Sequence, residues 1–340
     1  MRWLAEGSAA ALAGALREVA PELAGYPIVI SGDVSQEDPQ WWSETAEIGT
    51  EFVAKFAWSR QAALRVRHEI GVLTALARPP ALPYLPEVVV GTANPVLLVT
   101  RRVPGMPLFA VADSIDRDQA GRQLARFLAA LHHPSARARV EAETGPLPAA
   151  RPLAATSVLR DRFAGWVSPS RHRSVVRWCD WADAVLARPG PHSHAGPHSH
   201  AGLHGQAGLH GSAGPHDSAG STVLVHADLH GDNQVWDHGE LRLVVDFETV
   251  AVAEPEYDLS SFPGPGLGPG VELLTATVRH YEEAAGRPLS MERIMAWHVR
   301  QALGDVLWRT DAGIHLADHR TPPDWVDDLA ARFGALGLDP

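Results

Sequence analysis

A chain of 340 residues exceeds the roughly 250 that a single hydrophobic core supports, so two lobes are expected. Its 45% hydrophobic and 20% charged residues are those of an ordinary globular protein, and 29 Lys+Arg against 40 Asp+Glu leave 29 − 40 = −11, the wrong sign for general nucleic-acid binding. The single cysteine, Cys179, excludes an intramolecular disulfide and a thiolate metal cluster.

Residues 1–23 are alanine-rich but carry Glu6, Arg17 and Glu18, which predicts an amphipathic helix rather than a signal segment. No run reaches the ~18 to 20 apolar residues that span a membrane. The expectation is a cytoplasmic protein, a monomer or weak homodimer, with neither membrane nor nucleic acid as a partner. Strands are predicted over 27–34, 44–48 and 51–58, the last two joined by a turn at Gly49–Thr50. A helix is predicted over 59–77, where Ser59 can cap it and Val66, Ile70, Leu73 and Ala77 recur at helical spacing. The proline-rich stretch 79–86 ends it, strands follow over 87–91 and 96–103, and Pro104–Gly105 turns the chain away. Three strands, a helix and two strands are the order of a kinase N-terminal lobe, which sets the expected lobes at 1–103 and 104–340.

From there the pattern is helical, over 118–133, 171–186, 271–285, 290–309 and 321–336. The last has Thr321 as cap, Pro322 at the first helical position, Asp324 completing a capping box and Gly337 just past the end. Two short strands, 222–225 and 241–245, interrupt the helices. Residues 191–220 are five glycine- and histidine-bearing hexads in tandem. Such a composition cannot repay the entropy of ordering, so a disordered excursion is expected. Its seven histidines lack the fixed geometry of a metal site, and no functional metal binding is expected there.

The chemistry concentrates in HADLHGDN, residues 226–233, and VVDFE, residues 244–248. Phosphoryl transfer asks a protein for a carboxylate to orient the attacking hydroxyl and for oxygens to hold Mg²⁺ on the phosphates. His226, Asp228 and Asn233 have the spacing H-x-D-x-x-x-x-N, and Asp246 ends the following strand. Taken singly, Asp228 and Asp232 also read as turn residues and Asp246 as the polar end of a strand. The joint pattern resembles the aminoglycoside phosphotransferase and choline kinase family, in HADLHGDN, in DFE, and in EPEYDLS at 254–260. The resemblance implies an α+β, bilobal, protein-kinase-like fold with a small antiparallel-sheet N-lobe and a mainly helical C-lobe. It further implies ATP and Mg²⁺ as cofactors, Asp228 as catalytic base, Asn233 and Asp246 as metal ligands, and Asp258 as a buttress under the loop. His226 is expected to brace that loop, and His230 and Asp232 have no assigned role.

Upstream, FVAKF places Lys55 on a strand, and Glu69 lies on the helix that follows. A kinase needs a fixed cation on the nucleotide phosphates, oriented by a carboxylate. Lys55 is the only lysine in the chain, whose other basic positions are arginine, as a compact point charge on phosphate would require. Arg65, four residues before Glu69, is a competing partner for it. Ser43 is a candidate phosphate ligand or a turn residue. Val99 and Arg101 mark the strand end where main-chain groups would meet the base, and Trp41 and Trp42 read as cover for a ligand or as sheet packing. Asp305, Trp297, Trp308, Glu272 and Glu282 are acceptor-site candidates by location, and Trp297 and Trp308, eleven apart, share a helix face that reads as core packing ahead of a substrate platform. An acidic cluster there would indicate a polyamine acceptor. The expected activity is transfer of the γ-phosphate to a hydroxyl of a small molecule, an aminoglycoside or related antibiotic, the alternatives being choline, homoserine or an aminosugar, GTP in place of ATP, or a catalytically silent nucleotide-binding module.

Overall fold

Five antiparallel strands organise the first part of the chain. The computed structural model describes residues 1–30, 39–190, 222–262, 271–313 and 321–340. The 191–220 repeat and most of the loop after the first strand thus lie outside the described residues. Helix α1 (Ala9–Val19) starts where the Ser8 hydroxyl accepts the Ala11 N–H. Then come β1 (Ile28–Ile30), β2 (Ser43–Ile48), β3 (Phe52–Ala57), α2 (Arg60–Ala77), β4 (Val88–Ala93) and β5 (Val96–Arg101). The strands pair antiparallel in the order β1-β2-β3-β5-β4.

One face of this sheet, with Ala46, Ile48, Ala54, Phe56, Leu97 and Val99, buries against Leu12 and Leu16 of α1. Lys55 falls out of phase with Ala54 and Phe56, so the two-residue period turns it to the opposite face, which α2 covers. On α2 the buried stripe runs Ala62, Val66, Glu69, Leu73 and Leu76. Glu69 is the one charged residue in it, and helical spacing aims it at the sheet.

The rest comprises β6 (Met106–Pro107), α3 (Leu108–Val111), α4 (Arg117–Leu131), α5 (Pro134–Thr144), α6 (Thr156–Phe163), α7 (Pro169–Ala187), β7 (Val223–Val225), β8 (Gln234–Asp237), β9 (Glu240–Val244), β10 (Ala251–Ala253), α8 (Val271–Ala285), α9 (Met291–Asp311) and α10 (Pro322–Ala335). The expected fold is the observed one, an antiparallel-sheet lobe joined to a mainly helical lobe. Gly105 makes the join with φ +147°, where a Cβ would lie 2.8 Å from the Trp236 carbonyl oxygen, so only glycine fits. In the helical lobe α6, α7, α9 and α10 enclose Phe163, Trp178, Val299, Leu303, Trp325 and Phe333. Each such side chain stabilises the lobe by about 1.5–3 kcal/mol on burial.

Six elements depart from the expected pattern: β6, α3, α5, α6, β8 and β10. Helix α5 buries only Ala136 and Val140 and α6 is eight residues long, so neither carries a periodic apolar stripe. Strands β8 and β10 have four and three residues. Such short strands exist through their partners, β8 between β6 and β9 and β10 against β7. No described helix is long and apolar enough to cross a membrane.

Where the helical lobe closes on the loop below the site, His298 of α9 is buried, with Nδ1–H donating to the Ser260 carbonyl at 2.6 Å and Arg332 donating to Nε2 at 2.8 Å. Burial, assisted by Arg332, pushes the imidazole down to about 3 from 6.5. A folded value below the unfolded one contributes stability above pH 6.5 that is lost as pH falls toward 3. Urea unfolding at pH 7 and pH 5 should show a loss of up to about 1.4 kcal/mol per unit in this window. His298→Asn should flatten that slope; an unchanged slope would assign the acid sensitivity elsewhere.

Candidate active site

Two backbone features bring the site together. Asp246, at the end of β9, adopts φ 66° and ψ 59°, and Ala227 has φ 68°, both left-handed and uncommon for residues with a Cβ. The first turns the Asp246 carboxylate toward β3. The second exposes two successive N–H groups to one carboxylate: Asp258 accepts from His226 N at 3.0 Å and Ala227 N at 2.8 Å. Asp258 is buried and takes a further bond at 3.0 Å from His132 Nε2, whose Nδ1 lies 2.9 Å from the Tyr281 hydroxyl. His226 is committed as well. Its Nε2 lies 2.9 Å from the Val245 carbonyl, which only an N–H can satisfy, so Nδ1 is the acceptor for the Asp228 N–H at 3.3 Å. With both nitrogens engaged, the ring braces the loop against the segment carrying Asp246.

Lys55 stands where the lobes meet. Its Nζ lies 2.9 Å from Glu69, 2.5 Å from Asp246 and 2.9 Å from Glu248. Burial opposes the ammonium charge, but Glu69, Asp246 and Glu248 together outweigh it, and the Lys55 pKa is raised. Glu69 is raised by its burial, against the pull of Lys55, and its other oxygen accepts the Phe247 N–H at 3.0 Å. Arg65 reaches Glu248 at 3.4 Å and not Glu69, which settles the competition posed by the i,i+4 spacing. Glu248 is the residue that the motif reading passes over. Its signal is in the sequence, as the last letter of DFE, but nothing local shows that it faces Lys55.

In the loop, Asn233 Nδ2 donates to the Asp228 carbonyl at 2.8 Å and to its carboxylate at 3.3 Å. Burial works to raise the Asp228 carboxyl, yet His230, His226 and Asn233 outweigh it and hold it below the usual aspartate value. His230 is raised in turn, because Asp228 more than offsets its burial. His230 also accepts the Asp232 N–H at 3.2 Å, capping the short turn Gly231–Asn233.

Not every candidate falls here. Ser43 opens β2 opposite Ala57, and the loop before it, through residue 38, lies outside the described residues. Val99 sits between β3 and β4 with its side chain in the α1 core, and the Arg101 N–H goes to the Glu87 carbonyl. The side chain of Arg101 pairs with Glu87 at 3.1 Å. Glu272 and Glu282 are exposed on α8, which packs along α4. Trp297 donates to Glu254 and meets Tyr257 edge-on at 5.0 Å, a packing role. Asp305 pairs with Arg309 at 2.9 Å.

Three carboxylates against the Lys55 ammonium and the Arg65 guanidinium leave −3 + 2 = −1. Oxygens of Glu69, Asp246 and Glu248 lie within 4.8 Å of one another. A hard divalent cation suits this donor set. Asp246, a third exposed, is the accessible member, whereas Glu69 is occupied by Lys55 and Phe247. Asn233, with Nδ2 given to Asp228, retains Oδ1 for a metal.

The chain matches the model of the phosphotransferase enzyme family over residues 29–297. No match was found among curated proteins. The GDP complex of wild-type aminoglycoside 2'-phosphotransferase-IIIa aligns at TM-score 0.62 and 15% identity, over 97% of this chain and 98% of that one. The streptomycin and ATP ternary complex of APH(2")-IIa aligns at TM-score 0.56 and 15% identity, over 96% and 97%. Macrolide 2'-phosphotransferase MphH from Brachybacterium faecium aligns at 0.52 and 20%, over 96% and 98%. At these identities the structures share a fold with this chain.

Proposed function

The chain belongs to the phosphotransferase enzyme family, and on that premise we propose that it is an ATP- and Mg²⁺-dependent kinase that moves the γ-phosphate to a hydroxyl of a small molecule, an aminoglycoside or a related antibiotic. The observation that carries this reading is the meeting of Lys55 with Asp246 at 2.5 Å, one residue from each lobe, beside the loop that holds Asp228 and Asn233.

In this reading Lys55, oriented by Glu69, binds the nucleotide phosphates. Its raised pKa keeps it charged throughout the neutral range. Asn233, Asp246 and Glu248 would hold Mg²⁺, which would supply positive charge to offset that of the phosphates. Asp228 accepts the hydrogen bond of the acceptor hydroxyl and points its oxygen at the γ-phosphorus. As the new P–O bond forms and the bond to the β-phosphate oxygen breaks, the hydroxyl proton passes to Asp228. A carboxylate held below its usual pKa is a weak base, which suits a loose transition state in which orientation matters more than early proton removal. Asp258 and His226 keep the loop in register.

The reading is tested by incubating purified protein with Mg²⁺ and either ATP or GTP, since the similar structures include a GDP and an ATP complex. Aminoglycosides, macrolides, choline, homoserine and aminosugars serve as acceptors, with mass spectrometry to detect the phosphorylated product. Phosphorylation of one acceptor class that stops on chelating the metal is expected. Failure to bind or turn over either nucleotide would overturn it.

A further inference from the structure

Among the described residues, one aromatic contact joins the lobes. Trp41 ends the short turn Pro39–Trp41 ahead of β2, Trp308 lies near the end of α9, and their ring centroids are 5.9 Å apart at 56°. Each ring already has a guanidinium against it, Arg65 at 4.6 Å from the Trp41 centroid and Arg309 at 5.7 Å from that of Trp308. Arg65 leads to the chemistry, pairing with Glu248, a partner of Lys55. Arg309 pairs with Asp305 at 2.9 Å.

These contacts set what the wall can recognise. A polycationic acceptor needs unpaired carboxylates or open aromatic faces. Here Asp305 is engaged, the rings are each served by an arginine, and two guanidiniums stand at the contact. An apolar ring system instead needs no open π-face and gains from covering the indole surface that stays exposed, 38% at Trp41. We infer that Trp41 and Trp308 are specificity-determining residues forming an aromatic wall across the lobes, selecting a hydroxyl acceptor with an apolar face and no more than one positive charge. This rests on the phosphotransfer reading above and narrows its acceptor from an aminoglycoside to a related antibiotic with a single amine.

The test uses the full chain with ATP and Mg²⁺, erythromycin as the apolar acceptor with one amine, and kanamycin as the polyammonium acceptor. ATP turnover without acceptor is measured in parallel. Wild type should use erythromycin with the higher kcat/KM. Trp308→Ala should raise KM for it roughly tenfold while kcat stays within about threefold, and Trp308→Phe should recover most of the loss. Thermal unfolding verifies that Trp308→Ala folds, and Trp41→Ala, on a more exposed ring, gives an independent second reading with the same expected rise in KM. Preference for kanamycin, or an unchanged KM in both alanine variants, overturns the inference. ATP turnover with neither acceptor phosphorylated overturns it too but leaves nucleotide chemistry standing, whereas no nucleotide turnover or binding overturns the phosphotransfer reading itself.

Discussion

Asp228→Asn is expected to reduce kcat by at least ~10³-fold, with KM for ATP within a fewfold of wild type. The substitution keeps the shape of the side chain, and its carbonyl oxygen can still accept from Asn233, the bond that measures 3.3 Å in wild type. What it removes is the anionic oxygen that receives the acceptor hydroxyl. The amide nitrogen put in its place donates where the reaction needs an acceptor, so the hydroxyl loses both its orientation and the destination of its proton. Nucleotide affinity depends on Lys55 and the carboxylates around it, which Asp228 does not touch, so the loss falls on kcat. Steady-state kinetics on whichever acceptor is phosphorylated provide the check, and a variant with near-normal turnover would deprive Asp228 of its role.

Lys55→Met should reduce kcat/KM by about 10²–10³-fold, the scale for loss of a fixed electrostatic donor, and should also destabilise the fold. Glu69 is buried, Glu248 is mostly buried, and Lys55 is their shared cation. Removing one partner of a buried ion pair costs about 3–5 kcal/mol, a large share of a total near 5–15 kcal/mol. The sign with pH follows from Glu69. Burial already raises its pKa above the unfolded 4.5, and loss of Lys55 raises it further. A carboxyl raised on folding favours the folded state at low pH and ceases to do so as pH rises through the folded value. The deficit of the variant should therefore be greatest at neutral pH and shrink toward pH 4.5. Denaturant unfolding of both proteins at pH 7 and pH 5 measures it, and a deficit that grows on acidification would contradict the assignment. Lys55→Arg is not expected to rescue activity, because the planar fork cannot place one compact charge between three carboxylates.

The two kinds of residue in the site were unequally legible. Asp228, Asn233 and Asp246 stand in one stretch of sequence at recognisable spacing, and the structure places the first two in hydrogen-bond contact and the third against Lys55. Glu69 was visible as a carboxylate on the helix that follows the Lys55 strand, although Arg65 offered it an equally spaced partner. Glu248 was not visible, since its relation to Lys55 exists only after β3 and the segment following β9 have met. Ser43, Val99 and Arg101 were chosen from their position along strands, and pairing in the sheet engages the main chain of Val99 and Arg101.

Sequence alone determined the elements whose causes are local: the alternation that buries Ala54 and Phe56 and turns Lys55 the other way, the Ser59 cap of α2, the Thr321–Asp324 capping box, and the spacing that keeps Asp228 and Asn233 on one loop. Tertiary structure alone decided that Lys55 has three carboxylates, that Arg65 serves Glu248, and that Trp41 meets Trp308. The reason is range. Backbone propensity and side-chain period act over a few residues, whereas Lys55 and Asp246 are 191 residues apart and meet because two apolar cores pack and leave their charged side chains facing one cleft.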